Sequence, residues 1–292
     1  MYNIIGKKYI FLSISGVIIL VSIFALVFFG LRPGLDFTGG TLMEIEFLKN
    51  PPSLGEIKEK LKEFNLGEIT IQPTTEKKLI LRFKEIDEET HQKILEKLGR
   101  PSEIRFESIG PIIGRELLNK ARLATTLAIL AIFLYIAWSF RRLSKILRKG
   151  EAWRYSFGAI LALIHDVIVM LGVFAFLGHF KNVEIGTTFI IAILTVLGYS
   201  INDTIVVYDR IRENFLFNPS EKFEEIINKS LNETIVRSLN TSITTLLALL
   251  AIFFFGGETI RYFILAMIVG IITGTWSSIS IASPLLLFLR KK

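Results

Sequence analysis

Two polar side chains interrupt a long apolar run of the chain. The run covers residues 187–208 and contains Asn202 and Asp203 among aliphatic residues. A charged side chain deep in a bilayer costs about 2.5–3.5 kcal/mol on insertion scales, so such residues usually face a partner, a cavity or an ion path. Asp203 is therefore the first candidate for binding and releasing a proton, with Asn202 beside it.

Arg237 lies a few residues inside the next apolar run, 234–256. If consecutive runs cross a membrane in opposite directions, Asp203 and Arg237 lie at similar depth and can form a buried ion pair. Removing one partner of such a pair typically costs about 3–5 kcal/mol, because the other charge is left uncompensated. A proton carrier must change its charge when helices shift. The alternative is a static pair that only fixes the register of two helices.

His165 and Asp166 lie near the middle of another apolar run, 155–178. Adjacent helical residues point about 100° apart, so we expect one to face the bundle and the other to face a partner subunit. Histidine titrates in the physiological range and could relay protons. A structural hydrogen bond to a neighbouring helix is an equal alternative, so this pair ranks below Asp203 as a secondary relay.

The elements that position these residues are membrane-spanning helices. The chain is 51% hydrophobic with mean hydropathy +0.51, and its apolar residues occur in blocks. A span needs about 20 apolar residues to cross a hydrocarbon core of about 30 Å. Gly270 and Gly274 in the last run predict close helix packing. The sequence predicts six spans, at residues 9–30, 121–140, 155–178, 186–208, 234–256 and 261–289.

Basic residues predict the orientation of these spans. Short loops rich in lysine and arginine stay in the cytoplasm, so both termini are expected inside. The net charge of +7 then reflects topology and contact with membrane lipids, and nucleic acid is not an expected partner. The basic residues that carry the argument are Lys7, Lys8, Arg141, Arg142, Lys145, Arg148, Lys149, Arg154, Arg290, Lys291 and Lys292.

The hydrophilic segment 31–115 predicts a small extracytoplasmic domain between the first two spans. Alternating strands and two amphipathic helices follow the order βαββαβ, which is the ferredoxin-like α+β arrangement. Ser53 and Glu56 have capping-box spacing, and Asp87 opens the second helix. His91 lies on that helix, where we expect a solvated surface residue. The expected organisation is a first helix at 1–30, this domain, and five further helices at 116–292.

Glycine-rich junctions flank the domain. Gly39 and Gly40 suit a turn with positive φ, with Asp36 just before them. Gly110, Pro111 and Gly114 precede the second span. Each junction is either a tight turn, which we favour, or a hinge that carries domain motion. Between the fourth and fifth spans, the mixed-charge segment 209–233 predicts an interfacial helix along the cytoplasmic face.

Several function classes find no support in the sequence. Cysteine is absent, which removes disulfides and zinc–thiolate sites. The glycines of GLDFTGG do not form a phosphate-binding loop. Asp166 and Asp203 differ in estimated depth, which argues against an aspartyl protease. We therefore expect a protein that is not an enzyme and has no cofactor or metal site.

Four motifs in order resemble the SecF type of the SecD/SecF family of protein-export membrane proteins. They are GLDFTGG at residues 34–40, ALIHDVIVMLGVFAF in the third span, GYSINDTIVVYDRIREN closing the fourth, and ETIVRSLNTSITTLLALLAIFFFGG in the fifth. The resemblance covers nearly the whole chain. It implies a multi-pass protein of the prokaryotic cytoplasmic membrane, related to the resistance-nodulation-division superfamily.

The resemblance also implies partners and a role. The partners would be SecD, the Sec translocon channel and the secretory polypeptide, and the role would be assisting export with the proton-motive force. Asp203 and Arg237 match the charged membrane residues that this family ties to proton use. Two alternatives remain: a solute or lipid exporter of the same superfamily, and a non-conducting scaffold of the translocon. Whether protons, sodium ions or neither drive the protein stays open.

Overall fold

A computed structural model describes residues 2–48, 51–73, 77–141 and 151–289. Six helices are long and apolar enough to cross a membrane, which confirms the predicted membrane-helical class. In chain order the elements are α1 (Lys8–Phe28), α2 (Leu35–Thr38), β1 (Gly40–Glu46), α3 (Leu54–Leu61), β2 (Thr70–Pro73), β3 (Lys78–Phe83), α4 (Glu88–Lys97), β4 (Ser102–Ile109), α5 (Pro111–Ser139), α6 (Glu151–Lys181), α7 (Thr187–Phe217), α8 (Phe223–Phe255), α9 (Glu258–Ser277), a π-helical turn (Ser278–Ala282) and α10 (Ser283–Leu289).

The chain forms two compact units, one of residues Pro33–Arg122 and one of Met1–Arg32 with Leu123–Lys292. The first unit thus takes in the start of α5, whereas the sequence placed the domain at 31–115. The predicted orientation, with both termini inside, stays a prediction. Much of the basic loop that supports it (142–150) and the basic C-terminus (290–292) lie outside the described residues.

We call the unit of Met1–Arg32 with Leu123–Lys292 the membrane unit. It is built around α9, which packs against α6, α7 and α8. The predicted glycine packing in this helix is confirmed. A Cβ on Gly270 would lie 2.3 Å from Val196 Cγ2, and one on Gly274 would lie 2.8 Å from Ser200 Cβ. Such distances mean that the backbones of α9 and α7 approach more closely than side chains would allow. Small residues at an interface permit this contact between helices in lipid.

The unit of Pro33–Arg122, which we call the soluble unit, contains a four-stranded antiparallel sheet of order β2-β3-β1-β4. The order of elements is βαββαβ, so the predicted ferredoxin-like arrangement is confirmed. Buried residues of β3 alternate with half-buried ones, as expected for a strand with one buried face. In β1 the first four residues are all buried, and the alternation begins at Met43. The core is made by Met43, Ile45, Ile57, Leu61, Leu79, Leu81 and Ile94.

Both predicted helix caps are present in the soluble unit. The Ser53 side chain accepts from the Glu56 amide and Glu56 accepts from the Ser53 amide, which completes the capping box. The Asp87 carboxylate accepts from the Thr90 amide at 2.9 Å. Hydrogen bonds from the Thr90 side chain and amide hold the pKa of Asp87 below its usual value. These caps satisfy amides that the first turn of each helix leaves without a partner.

His91 is buried, so the expectation of a solvated side chain is wrong. It is 4% exposed and stacks on Phe106 with ring centroids 3.7 Å apart. Its Nε2 lies 2.9 Å from Glu103 Oε1, and its Nδ1 lies 3.2 Å from Glu88 Oε1. Ile94 follows three residues later on the same buried face of α4, so helical periodicity places His91 toward the sheet.

The segment 209–233 does not form the separate interfacial helix that the sequence predicted. Its first part continues α7 to Phe217, and its second part opens α8 at Phe223. Asn214 Nδ2 donates to Ser230 Oγ at 2.9 Å and joins the two extensions. Helices of this length rise about 46 Å at 1.5 Å per residue, so they extend beyond a hydrocarbon core of about 30 Å.

The glycine junctions pack against each other inside the soluble unit. Gly39 and Gly40 have φ of +72° and +115°, a region that favours glycine. A Cβ on Gly39 would lie 2.7 Å from Pro111 Cα, and one on Gly114 would lie 3.1 Å from the Gly39 nitrogen. A Cβ on Gly110 would lie 3.1 Å from Glu85 Oε1. This geometry fits the tight-turn interpretation, while the hinge stays a prediction.

Candidate functional site

Asp166 on α6 is fully buried in the membrane unit and has three hydrogen-bond partners. Ser200 Oγ on α7 donates to its Oδ2 at 2.6 Å, and Ser277 Oγ at the end of α9 donates to the same oxygen at 2.9 Å. His165 Nδ1 lies 3.0 Å from Oδ1. A buried carboxylate is stable only when its oxygens have such partners. Asp166 therefore ties three helices together at one point.

Asp203 on α7 forms a second site with the same kind of partner. Ser238 Oγ on α8 donates to Oδ1, and Ser278 Oγ at the start of the π-helical turn donates to Oδ2. Unlike Asp166, Asp203 is only half-buried. Both of its carboxylate oxygens are thus occupied by neutral hydroxyl groups from two other helices.

The two carboxylate sites meet in the backbone of α9. Ser277, which binds Asp166, and Ser278, which binds Asp203, are consecutive residues. The helix changes there from α to π pitch over Ser278–Ala282. Short π-helical turns are rare and frequently occur at functional sites. We call the pair Ser277 and Ser278 the serine bridge.

Side chains outside the serine bridge satisfy carbonyl groups of the π-helical turn. Tyr208 Oη donates to the Ala282 carbonyl at 2.9 Å, and Ser283 Oγ donates to the Ser278 carbonyl at 2.9 Å. Polar backbone groups in the bilayer interior must find partners within the protein. The turn is therefore supported by specific hydrogen bonds.

Further polar contacts surround the serine bridge on α9. Ser242 on α8 and Thr275 are joined by their hydroxyl groups at 2.6 Å. Trp276 Nε1 donates to Ser15 Oγ on α1 at 2.9 Å. Together with the two carboxylates, these contacts link α9 to α1, α6, α7 and α8. A shift of α9 would consequently disturb hydrogen bonds on four other helices.

The structure does not contain the predicted ion pair between Asp203 and Arg237. Arg237 is exposed, whereas its neighbour Ser238 is buried and faces Asp203. Adjacent helical residues point about 100° apart, so both cannot face the same carboxylate. Asn202 is exposed as well, beside Asp203 but pointing away from its hydroxyl partners.

The structure also corrects the expectation for His165 and Asp166. Both are buried, and they contact each other instead of facing different surroundings. The His165 ring reaches the neighbouring carboxylate through Nδ1. Its Nε2 is buried and has no hydrogen-bond partner among the described residues. Asp166 is therefore the more deeply buried of the two membrane carboxylates, although the sequence ranked it second.

Sequence reasoning missed the serine bridge. The signal was the density of hydroxyl residues in TGTWSSISIAS, residues 273–283, within an apolar run. Chemically, the two sites offer carboxylates that can bind a proton each, with hydroxyl groups that respond to the change in charge. In the parts of the chain that the structure describes, no group of three histidine, aspartate or glutamate side chains could hold a metal ion.

Comparisons with known proteins show the family of this chain. Residues 90–292 match the family model "Protein export membrane protein SecD/SecF, C-terminal", and residues 24–47 match the "SecD/SecF GG Motif". The protein translocase subunit SecF of Thermobaculum terrenum is 42% identical, over 100% of this chain and 95% of the relative. That of Thermodesulfovibrio yellowstonii is 40% identical, over 99% and 95%.

Solved structures give the same result. A crystal structure of SecDF from a Thermus species, described as a translocon-associated membrane protein, superposes with a TM-score of 0.82 at 31% identity. The match covers 98% of this chain but only 38% of that chain. A SecDF structure in a super-membrane-facing form gives a TM-score of 0.69. The chain belongs to the SecD/SecF family of protein-export membrane proteins, as a member of its SecF type.

Proposed function

We propose that this protein couples proton movement to its work as an accessory subunit of the Sec protein translocase. It is a multi-pass protein of the cytoplasmic membrane. It matches relatives that are named protein translocase subunit SecF over nearly their full length. The proposal assigns Asp203 as the proton carrier. It assigns no catalytic chemistry, cofactor or metal to the chain.

The observation that carries the proposal is the set of partners of Asp203. Its two carboxylate oxygens accept hydrogen bonds from Ser238 on α8 and from Ser278 beside α9. A proton on Asp203 would neutralise the charge and weaken both hydrogen bonds, because ionised acceptors bind hydroxyl donors more strongly. Protonation at one atom would therefore change the packing of three helices.

The energy scale fits a conformational switch. Moving one charge across 100 mV supplies about 2.3 kcal/mol. Shifting a two-state balance from 1:99 to 99:1 requires about 5.5 kcal/mol. A few protons for each cycle would therefore be enough to drive the protein between two states.

Arg237 enters the proposal as the group that stabilises the charged carboxylate in a second state. It neighbours Ser238 on α8, so a rotation of α8 would exchange the hydroxyl partner of Asp203 for a guanidinium group. In the present state Arg237 lies on the exposed face of α8, together with Val236, Leu239, Ile243 and Leu247.

We propose SecD as the partner that covers this face. The description of the Thermus protein as SecDF, and the 38% of that chain that this protein matches, support a larger assembly. The remaining exposed apolar surface, much of it on α1 and α5, would face membrane lipids. The translocon channel and the secretory polypeptide complete the proposed set of partners. A scaffold role remains the competing proposal, since two hydroxyl groups already satisfy Asp203 without any charge transfer.

Reconstitution separates the two proposals. The chain, SecD and the translocon are placed in vesicles, and export is measured with and without an imposed proton gradient. We expect the gradient to stimulate export in the wild type and not in Asp203→Asn. Asp209→Asn is the matched control, because Asp209 is exposed on the same helix and pairs with Arg212 at 2.7 Å. Equal gradient dependence in Asp203→Asn and the wild type would favour the scaffold.

A further inference from the structure

The surroundings of Asp166 differ from those of Asp203 in deeper burial and in an ionisable neighbour. Within the described residues, His165 is the only ionisable side chain that forms a hydrogen bond or ion pair with Asp166. The neighbouring helices α7 and α9 contribute only the hydroxyl groups of Ser200 and Ser277. Asp203 on α7 approaches the same region through Ser278. Asp166 and His165 thus form an isolated pair that shares hydrogen bonds with two helices.

His165 has one ring nitrogen committed and one open. Nδ1 faces Asp166, whereas Nε2 is buried without a hydrogen-bond partner among the residues that the structure describes. Unsatisfied buried polar atoms are uncommon in native proteins and call for an explanation. A purely structural histidine would be expected to satisfy both nitrogens. The open Nε2 is instead suited to receive or release a proton.

We propose that Asp166 is a second proton-binding carboxylate of the membrane unit and that His165 passes protons to and from it. The proposal rests on the proton-coupled function assigned to Asp203. It adds a second site, and it assigns the serine bridge the task of connecting the two sites.

In the unloaded pair, Asp166 is a carboxylate and His165 is neutral with its proton on Nδ1. A proton binds at Nε2 and gives an imidazolium group. The Nδ1–H bond then breaks, its electron pair stays on Nδ1, and an O–H bond forms at Asp166 Oδ1. The pair has gained one proton, and its charge has changed from −1 to 0.

The serine bridge transmits the protonation of Asp166 to Asp203. Protonation of Asp166 weakens the hydrogen bond from Ser277, because a neutral carboxyl group is a weaker acceptor than a carboxylate. Ser278 is the next residue in the chain and holds Asp203. Interacting ionisable groups release their protons in steps that belong to the pair. The two carboxylates should therefore titrate as coupled sites.

Infrared spectroscopy tests the proposal without any export assay. The full chain with SecD is placed in lipid nanodiscs, and the C=O stretch of protonated carboxyl groups is followed during a pH titration. We expect one titrating band to disappear in Asp166→Asn and another in Asp203→Asn. Asp209→Asn should leave both bands in place. A spectrum of Asp166→Asn that retains every titrating membrane band would overturn the proposal.

The coupling between Asp166 and Asp203 is measured from the pH midpoint of the Asp166 band. Asp203→Asn should change the apparent proton affinity of the Asp166 band by roughly twofold or more, the lower end of the coupling expected between contacting groups. Ser277→Ala should shift the same band, whereas Ser280→Ala should not. Ser280 lies in the same π-helical turn, but its hydroxyl donates to the Trp276 carbonyl at 2.6 Å. Equal midpoints in all these variants would overturn the coupling.

Two further results keep the test decisive. If Asp166→Asn does not fold, His165→Gln retains the carboxylate and should leave its band unable to follow pH on the timescale of the wild type. An unchanged response in His165→Gln would remove histidine from the proposal. Loss of gradient-dependent export in Asp203→Asn tests the proposed function separately, so failure of one proposal does not imply failure of the other.

Discussion

Two buried histidines, one in each unit, show different ways of accommodating an ionisable ring. His91 in the soluble unit is 4% exposed, stacks on Phe106, and has a carboxylate oxygen beside each ring nitrogen. His165 in the membrane unit is 2% exposed and has a carboxylate beside one nitrogen only. Burial alone therefore does not identify a working group. The open hydrogen-bonding position of His165 is the feature on which we base its proposed role in proton exchange.

The neighbouring carboxylates differ in the same direction. Glu88, beside His91, is largely exposed to water, so a change of its charge is screened by solvent. Asp166, beside His165, has no exposed surface and is held by two hydroxyl groups from other helices. A change of charge at Asp166 must therefore be compensated by changes in the surrounding protein groups, because no water screens it. We therefore expect substitutions at the membrane site to have the larger effects.

The largest effect is expected for Asp166→Ala. The substitution leaves Ser200, Ser277 and His165 without their common acceptor inside the bundle. We expect the free energy of unfolding to fall by about 1–3 kcal/mol for each buried group that is left without a hydrogen-bond partner. Denaturant titration of the purified chain in micelles, followed by tryptophan fluorescence, measures the change.

The control for this substitution is Asp209→Ala. Its ion pair with Arg212 is exposed, and such pairs contribute about 0–1 kcal/mol. If the two variants unfold at the same denaturant concentration, the network around Asp166 does not stabilise the bundle, and the contrast between the two histidines loses its energetic basis.

Gly274→Ala tests whether the close approach of α9 and α7 positions the serine bridge. The new methyl group would lie 2.8 Å from Ser200 Cβ, beside a serine that donates to Asp166. Overpacking of this kind costs about 1–3 kcal/mol. The same denaturant titration measures it, and the infrared band of Asp166 should shift because Ser200 is displaced.

Gly198→Ala is the matched control in the same bundle. A Cβ at Gly198 meets no atom of the described chain within 4 Å. It should leave both stability and the Asp166 band close to the wild type. A Gly274→Ala variant as stable as this control would show that the two helices can separate without cost.

The membrane spans and the soluble fold could be predicted from the sequence because each depends on a repeated pattern. Apolar blocks set the six spans, and alternation along β1 and β3 set the sheet. The choice of Asp203 followed from its position in lipid. Its partner could not be predicted, because Arg237 and Ser238 are neighbours and the rotation of α8 decides which one faces Asp203.

The remaining errors also have physical causes. The π-helical turn that places Ser277 and Ser278 has no signal in hydrophobic periodicity, although the dense hydroxyl residues of 273–283 marked the region. His91 was predicted to be solvated because charged residues surround it in the sequence. Its three-residue spacing from Ile94 indicates instead that it faces the core. The segment 209–233 is mixed in charge and was expected to lie flat. Instead α7 continues to Phe217, and the next residue, Asn218, precedes Pro219, which disfavours helical backbone in the residue before it.

His91→Ala tests the structural half of the comparison. It removes the ring that stacks on Phe106, and aromatic stacking contributes about 0.5–1.5 kcal/mol beyond burial. We expect faster hydrogen exchange in α4 and β4 of the full chain, measured by mass spectrometry. The exposed neighbour Gln92→Ala should leave exchange nearly unchanged. Loss of the gradient response of export in a folded His91→Ala protein would contradict its purely structural role.

The smallest effect is expected at the Asp87 cap, where a carboxylate in water can be compared with the carboxylates in the bundle. Hydrogen bonds from the Thr90 side chain and amide hold the pKa of Asp87 below its usual value, so the folded state binds the proton less tightly than the unfolded state. The stabilisation is therefore complete above the unfolded pKa and is lost as pH falls through the lower folded pKa.

Hydrogen exchange of the first turn of α4, corrected for intrinsic rates, should show this loss in the wild type and not in Asp87→Asn. The Ser53 cap has no charge, so α3 should show no matching change. An equal acid response in α3 and α4 would mean that the cap of α4 does not depend on ionisation of Asp87.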